Sequence, residues 1–268
     1  VEGTTVRLYK RAGAAEVEEA RARARETLGY WCKHARVEVR LGDQIVSGPM
    51  DLGGLCKVAH EEHGTTLVMA LVEERAALRG YYHAGLTLHE ERDESLPHVA
   101  FKVDSRFLEH TLTRDNVIRD ENFAKAMAIV GAVARPRLVA ALFEALERLA
   151  GRGEGSGSER ALLYRGAAAQ LAARAPDPAW LGREVVPMLG GPPASIAELR
   201  GRSRARELYR SPVMSPVVER LLAAGPRVIA CDEGDSVEVR DEFPRTPSGK
   251  VQKYLVRQQL LAPTETPA

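Results

Sequence analysis

The chain has 268 residues, 44% hydrophobic and 28% charged, which is enough apolar material for one large core or two moderate ones. Its 38 lysines and arginines stand against 37 aspartates and glutamates, a formal net charge of +1. That balance supplies no long-range attraction to nucleic acid or to an anionic membrane, and the longest apolar runs fall short of the roughly 20 residues a membrane helix needs. Neither partner is therefore expected.

In chain order, TTVRLYK (4–10) alternates as a strand does, and the run opens so close to Val1 that the start reads as a cut edge. A helix is expected from Ala14 to about Cys32, with Glu18/Arg21 and Glu19/Arg23 at helical spacing. VEVRL (37–41) reads as a second strand. GTTLVMALVEE (64–74) and GYYHAGLTLHEE (80–91) read as two long strands and LPHVAFKVDS (96–105) as a third, so a small sheet is predicted.

From Asn122 the period becomes 3.6, through FAKAMAIVGAVA and then, after Pro136, LVAALFEALERLA, which stops at Gly151. These helices are expected to cover one side of the sheet. GRGEGSGS (151–158) has the composition of a flexible linker. Beyond it, ALLYRGAAAQLAARA is helical. SIAELRGR carries Ser195 in N-cap position before a short helix, and ELYRS is strand-like. SPVVERLLAAG is a helix stopped by Gly225, and RVIAC is a buried strand. The fold class expected is α/β, in the α+β sandwich sense, with a smaller α/β subdomain after the linker.

Chemistry-bearing patterns are few. Cys32, Cys56 and Cys231 form neither a disulfide framework nor a CxxC metal pair, and point to a reducing cytoplasm with thiols used for packing. His60-Glu61-Glu62-His63 puts two imidazoles three apart, as for one helix face, but lacks HExxH spacing and a third ligand, so no metal is assigned. The basic run Arg200–Arg206 has no interleaved aromatics and reads as a solvated helix face. On the residues alone, Arg114 is a surface cation paired with Asp115 or Asp120.

Val103-Asp104-Ser105, Leu108, Leu112, Thr113, Arg114 and Asp115 resemble, at identical spacing, the VDS-x-x-L-x-x-x-L-S-R-E signature of the heat-shock protein 90 chaperones, HtpG in bacteria. In that family the arginine of the middle domain reaches the ATP held by an upstream GHKL nucleotide domain. The resemblance implies that role for Arg114: a planar guanidinium stabilising the γ-phosphate. Thr113 stands for the family serine and Asp115 for its glutamate. The family glutamine four residues on is Ile118 here, and Asn116 is the polar residue that could take its place.

Gly3-Thr4-Thr5-Val6-Arg7-Leu8 is similar to the strand that closes the GHKL domain, which implies Gly3 and Thr4 near the phosphates. Downstream, Tyr209, Ser215, Pro216, Gly225 and Val228 match the order of the later α/β part of that middle domain. The resemblance spans roughly residues 1–232, without the family's tryptophan-bearing segment. It implies a division into 1–48, the end of the nucleotide domain; 49–150, a ribosomal protein S5 domain 2-like subdomain carrying the arginine loop; 151–158, the linker; and 159–232, a helical plus small α/β subdomain. ATP with Mg²⁺, non-native client proteins and the chain's own nucleotide domain are the implied cofactor and partners. A homodimer is implied by the family alone, since its dimerising domain has no counterpart in 233–268.

That last stretch resembles something else. EFPRTPSGKVQK is similar to the final P-R-T-x-S-G-K-x-x-K motif of acyl-CoA synthetases and other adenylate-forming ligases, whose lysine corresponds to Lys250. The rest of the chain shows no ligase domain, so 233–268 reads as an appended tail. The expectation is thus a chaperone fragment that does not hydrolyse ATP alone. The alternatives are a ligase fragment and a binding module without catalysis.

Overall fold

The computed structural model describes residues 3–7, 9, 11–113, 115–152, 157–173, 178–205 and 207–231. It is a mixed α/β protein built on a five-stranded sheet with several helices.

Helix α1 (Ala14–Trp31) opens with the Glu16 carboxylate accepting the Gly13 amide, which satisfies one orphan donor of the first turn. None of its residues is fully buried. A two-residue ladder follows, β1 (Arg40–Leu41) with β2 (Gln44–Ile45). The sheet comprises β3 (Leu55–Glu62), β4 (Thr65–Leu71), β5 (Ala77–His83), β6 (Leu86–Asp93) and β7 (Val99–Ser105), in the order β3-β4-β7-β5-β6. β7 lies antiparallel to β4 and parallel to β5, and all seven of its residues are buried, as a central strand covered on both faces requires.

Alternation along β7 divides the molecule. Val99, Phe101 and Val103 face a cluster with Leu67, Met69, Tyr81 and the following helix, whereas Ala100, Lys102 and Asp104 point to the other face. The first face is covered by α2 (Glu121–Val133), a π-helical turn (Ala134–Leu138) and α3 (Val139–Arg152). Pro136 sits inside that turn. It lacks the N–H that a regular helix would use, and one wider turn lets the helix continue past it. Helix α4 (Gly157–Ala173) and the short α5 (Pro178–Leu181) extend the second core cluster around Leu142, Phe143 and Leu146.

The smaller unit contains β8 (Glu184–Val186), β9 (Ala194–Ser195), α6 (Ile196–Ala205), β10 (Leu208–Ser211), α7 (Pro216–Ala223) and β11 (Arg227–Ala230), with β10 and β11 parallel. The Ser195 hydroxyl accepts Glu198 N–H, the cap predicted for it, and the Ser215 hydroxyl caps α7 by accepting Val218 N–H.

Several expectations are corrected. Thr4–Arg7 and Tyr9 are not in a strand: Val6 and Tyr9 are 76% and 90% exposed, and alternation alone makes no strand without a neighbour to pair with. VEVRL contributes only Arg40–Leu41. GYYHAGLTLHEE is a hairpin rather than one strand, turning at Ala84-Gly85. Gly85 has φ +79, and a Cβ there would lie 1.8 Å from the His34 carbonyl oxygen, so only glycine lets the turn pass under residues 34–35. Strand β3 was not expected at all.

The joined helix Glu121–Gly151 is long and apolar enough, by length and composition, to cross a membrane, longer than the apolar runs of the sequence suggest. Its apolar residues Val130, Val133, Leu142, Phe143 and Leu146 are spent on the core of the sheet unit. At the linker assigned to 151–158, Gly151 and Arg152 complete α3 and Gly157 and Ser158 open α4, with 153–156 outside the described residues.

Candidate functional site

The chain leaves β7 into a loop that is itself a small hairpin. Thr111 N–H donates to Asn116 O and Ile118 N–H to Glu109 O, both at 2.9 Å, and His110 bridges Val117. Leu108 and Val117, 1% and 2% exposed, anchor its base in the core. His83 Nδ1 lies 2.7 Å from Leu108 O and His89 Nδ1 3.2 Å from Asp115 O, which ties the loop to β5 and β6.

At the tip the hydroxyls of Thr111 and Thr113 both donate to Asp115 Oδ1, at 2.9 and 2.5 Å. Those bonds, Thr113 first, hold the Asp115 carboxyl below the usual carboxylate range. Thr113 and Asp115 are exposed, and Leu112 between the two threonines is fully so. Arg114, the residue that carries the resemblance, lies outside the described residues, as does Lys250. Asn116 spends its side-chain oxygen on Val117 N–H at 2.8 Å. Ile118 is partly exposed, and Gly3 and Thr4 are exposed and outside regular structure.

A polar cluster that the sequence did not announce lies on the sheet face away from α2. Lys102 Nζ donates to His34 Nε2 and to Asp51 O, both at 2.9 Å. With Nε2 accepting, the His34 proton sits on Nδ1, which faces Gly48 O at 3.4 Å. Burial, and then the Lys102 charge, push His34 below the ordinary imidazole range. Burial and the Lys33 charge likewise lower the Lys102 ammonium.

Beside it, Lys33 Nζ donates to Glu90 Oε2 at 2.6 Å and the Tyr82 hydroxyl donates to the other Glu90 oxygen. Burial would raise the Glu90 carboxyl, but those hydrogen bonds outweigh it and the net shift is downward. Burial drives the Tyr82 hydroxyl far upward, so it stays a donor. Asp104 accepts from Arg36 at 3.3 Å through Oδ2, while its buried Oδ1 has no hydrogen-bond partner among the described residues. Both side-chain hydrogen bonds that Lys102 makes among the described residues go to residues 34–51, so the cluster pins that covering segment to the sheet. Its signal in the sequence was two charges, Lys102 and Asp104, alternating within an otherwise apolar strand.

His60 lies near the end of β3 and His63 sits in the turn after it, at φ 50; they flank Glu62, which contacts both at 3.2 and 3.3 Å. The helix face assumed for this pair is absent. Among the described residues no group of three or more His, Cys, Asp and Glu could hold a metal ion. Cys56 lines a groove of about 450 Å³ with Arg148 and Lys57, and burial pushes its thiol up to about 11, which keeps it protonated and inert. A cleft of about 550 Å³ is lined by Gly53, Gly54, Glu73, Arg92, Ser158 and Glu159. In the basic run, Arg202 pairs with Glu198 and Glu207 on and just after α6, and Arg206 lies outside the described residues.

Compared with known families, the chain matches no family model. No curated protein matches it either.

Proposed function

We propose that this chain is the middle segment of an ATP-dependent chaperone of heat-shock protein 90 type, in which Arg114 reaches the γ-phosphate of ATP held with Mg²⁺ by an upstream nucleotide domain. The observation that carries the reading is the signature from Val103 to Asp115, matched at identical spacing. Two features support it. The residues flanking Arg114 are exposed at the tip of a hairpin whose base is anchored in the core, the placement a side chain needs to act on a neighbouring domain. A mixed five-stranded sheet with helices on one face and a small parallel α/β unit after it suits the S5 domain 2-like middle domain of that family.

In this reading the segment supplies charge rather than a nucleophile or base, binds non-native clients and works in the cytoplasm. The Thr111 and Thr113 hydroxyls play a supporting part. Their two hydrogen bonds to Asp115 Oδ1 fix the turn between Thr111 and Asp115.

The test is Arg114→Ala in the protein that carries the nucleotide domain expected before Val1. Turnover of ATP should fall by roughly 10³-fold, the scale of such arginines in other nucleotide hydrolases, with the circular dichroism spectrum unchanged. Turnover within twofold of the parent would remove the catalytic role.

A further inference from the structure

The turn between β3 and β4, the last residue of β7 and the first turn of α2 enclose a cavity of about 180 Å³. It is below the roughly 300–1,000 Å³ of drug-sized ligand sites, so its occupant is a small ion or a single functional group. Thr65 and Ser105 face each other across β4 and β7, 2% and 1% exposed, with their hydroxyl oxygens 2.8 Å apart.

A hydroxyl pair has two protons and the bond between them uses one. Ser105 Oγ also accepts Phe107 N–H at 3.4 Å, which adds a donor rather than removing one. Among the described residues, nothing accepts the second proton of this buried pair. An orphaned buried donor is costly. Asn122 and Lys125, also lining the cavity, make no side-chain hydrogen bond or ion pair among the described residues. Arg106, packed across Gly64, has the Phe107 ring beneath its guanidinium.

Two of the neighbouring acids are engaged, and Glu121 stands one turn before Lys125 on α2. Glu62 is shared by His60 and His63, and Asp120 caps α2 by accepting Phe123 N–H at 2.9 Å. A water would satisfy the hydroxyl but would not engage Asn122 and Lys125 at once. An oxyanion offers acceptor oxygens to several donors at once and balances the cations. We propose that this cavity binds a single phosphate-type oxyanion, with the Thr65/Ser105 hydroxyl pair, Asn122 and Lys125 as its donors. The site is independent of the role assigned to Arg114.

The experiment is a titration of the full chain with inorganic phosphate at constant ionic strength, followed by amide ¹H–¹⁵N shifts at Gly64, Arg106 and Asn122. Saturable shifts at these amides are expected, with affinity weakened roughly tenfold in Lys125→Met, the scale of one lost charge-assisted hydrogen bond. Lys125 is exposed, so that variant keeps the fold. Thr65→Val, which removes one hydroxyl and nearly preserves shape, should weaken binding as well. Shifts that do not saturate, or saturable shifts that neither variant weakens, would overturn the proposal and leave the cavity to water.

Discussion

The sheet unit and the small α/β unit that follows it are held together by different means. In the first, two clusters built around Phe101 and Phe143 lie on one face of the sheet, and a smaller apolar cluster of Leu52, Val68, Ala70, Ala77 and Ala100 beside the polar group around Lys102 closes the other. In the second, the buried cluster among the described residues is Met188, Ala194 and Leu199, its strands run two to four residues, and Tyr209, Val213, Met214 and Val217 remain exposed. What the small unit lacks in core it makes up locally. Two serine caps, Pro216 in the first turn of α7 and Gly225 at φ +100 after it define its helices. The difference teaches that stability in this molecule resides in the sheet unit, while the small unit is specified by short-range signals and leans on α3 through Val185 and the bidentate Arg183–Glu147 pair.

The sharpest way to break that contrast is a matched pair of core truncations. Phe101→Ala should cost the whole protein about 3–5 kcal/mol, seen as a lower denaturant midpoint. Trp31 and Trp180 both sit in or against the sheet unit, so tryptophan fluorescence follows that unit's transition. Leu199→Ala should leave that transition nearly in place and instead raise amide exchange in β10 and β11. Equal shifts of the fluorescence midpoint in both variants would mean that the two units unfold as one.

A smaller effect sharpens the local side of the comparison. Ser215→Ala removes the hydroxyl that accepts Val218 N–H and should cost α7 about 1 kcal/mol, read from amide exchange at Val218 and Glu219. No change there would show that α7 is held by packing of Val218 rather than by its cap.

The smallest expected effect concerns pH. His34 is pushed below its ordinary pKa of 6.5 by burial and by Lys102. The unfolded chain therefore takes up a proton there before the folded one does. The associated stability is complete above about pH 6.5 and is lost as pH falls from there through the lower folded value. The melting temperature should drop across that window, and His34→Gln should flatten the drop. A parent and variant with parallel pH profiles would mean that other groups set the acid limit.

Local features of the fold were legible in the sequence because their causes lie within a few residues. The helical period from Asn122, the Ser195 cap and the apolar runs of β4 and β7 all carried through. The hairpin at Ala84-Gly85 reads as one strand because its turn signal, a single Gly85, is weak until His34 is seen lying against it. The Thr4–Arg7 run shows the converse, a local pattern with no strand to pair with. At the candidate site, the loop around Arg114 was visible as a motif. The Lys102 cluster was not, since His34, Asp51 and Glu90 are far apart in sequence and meet only on the sheet.

By itself, the sequence determined that this is a mixed α/β chain with a helical cover, a helix capped at Ser195 and a polar loop after the strand that ends at Ser105, because periodicity and capping act over a few residues. Only the tertiary structure decided that β7 inserts between β4 and β5, that Lys102 and Asp104 face a folded-back segment rather than water, and that Thr65 and Ser105 share a cavity with Lys125. Strand order and buried polar contacts depend on which distant residues come to lie against each other, and a period of two along a strand fixes its faces but not its neighbours.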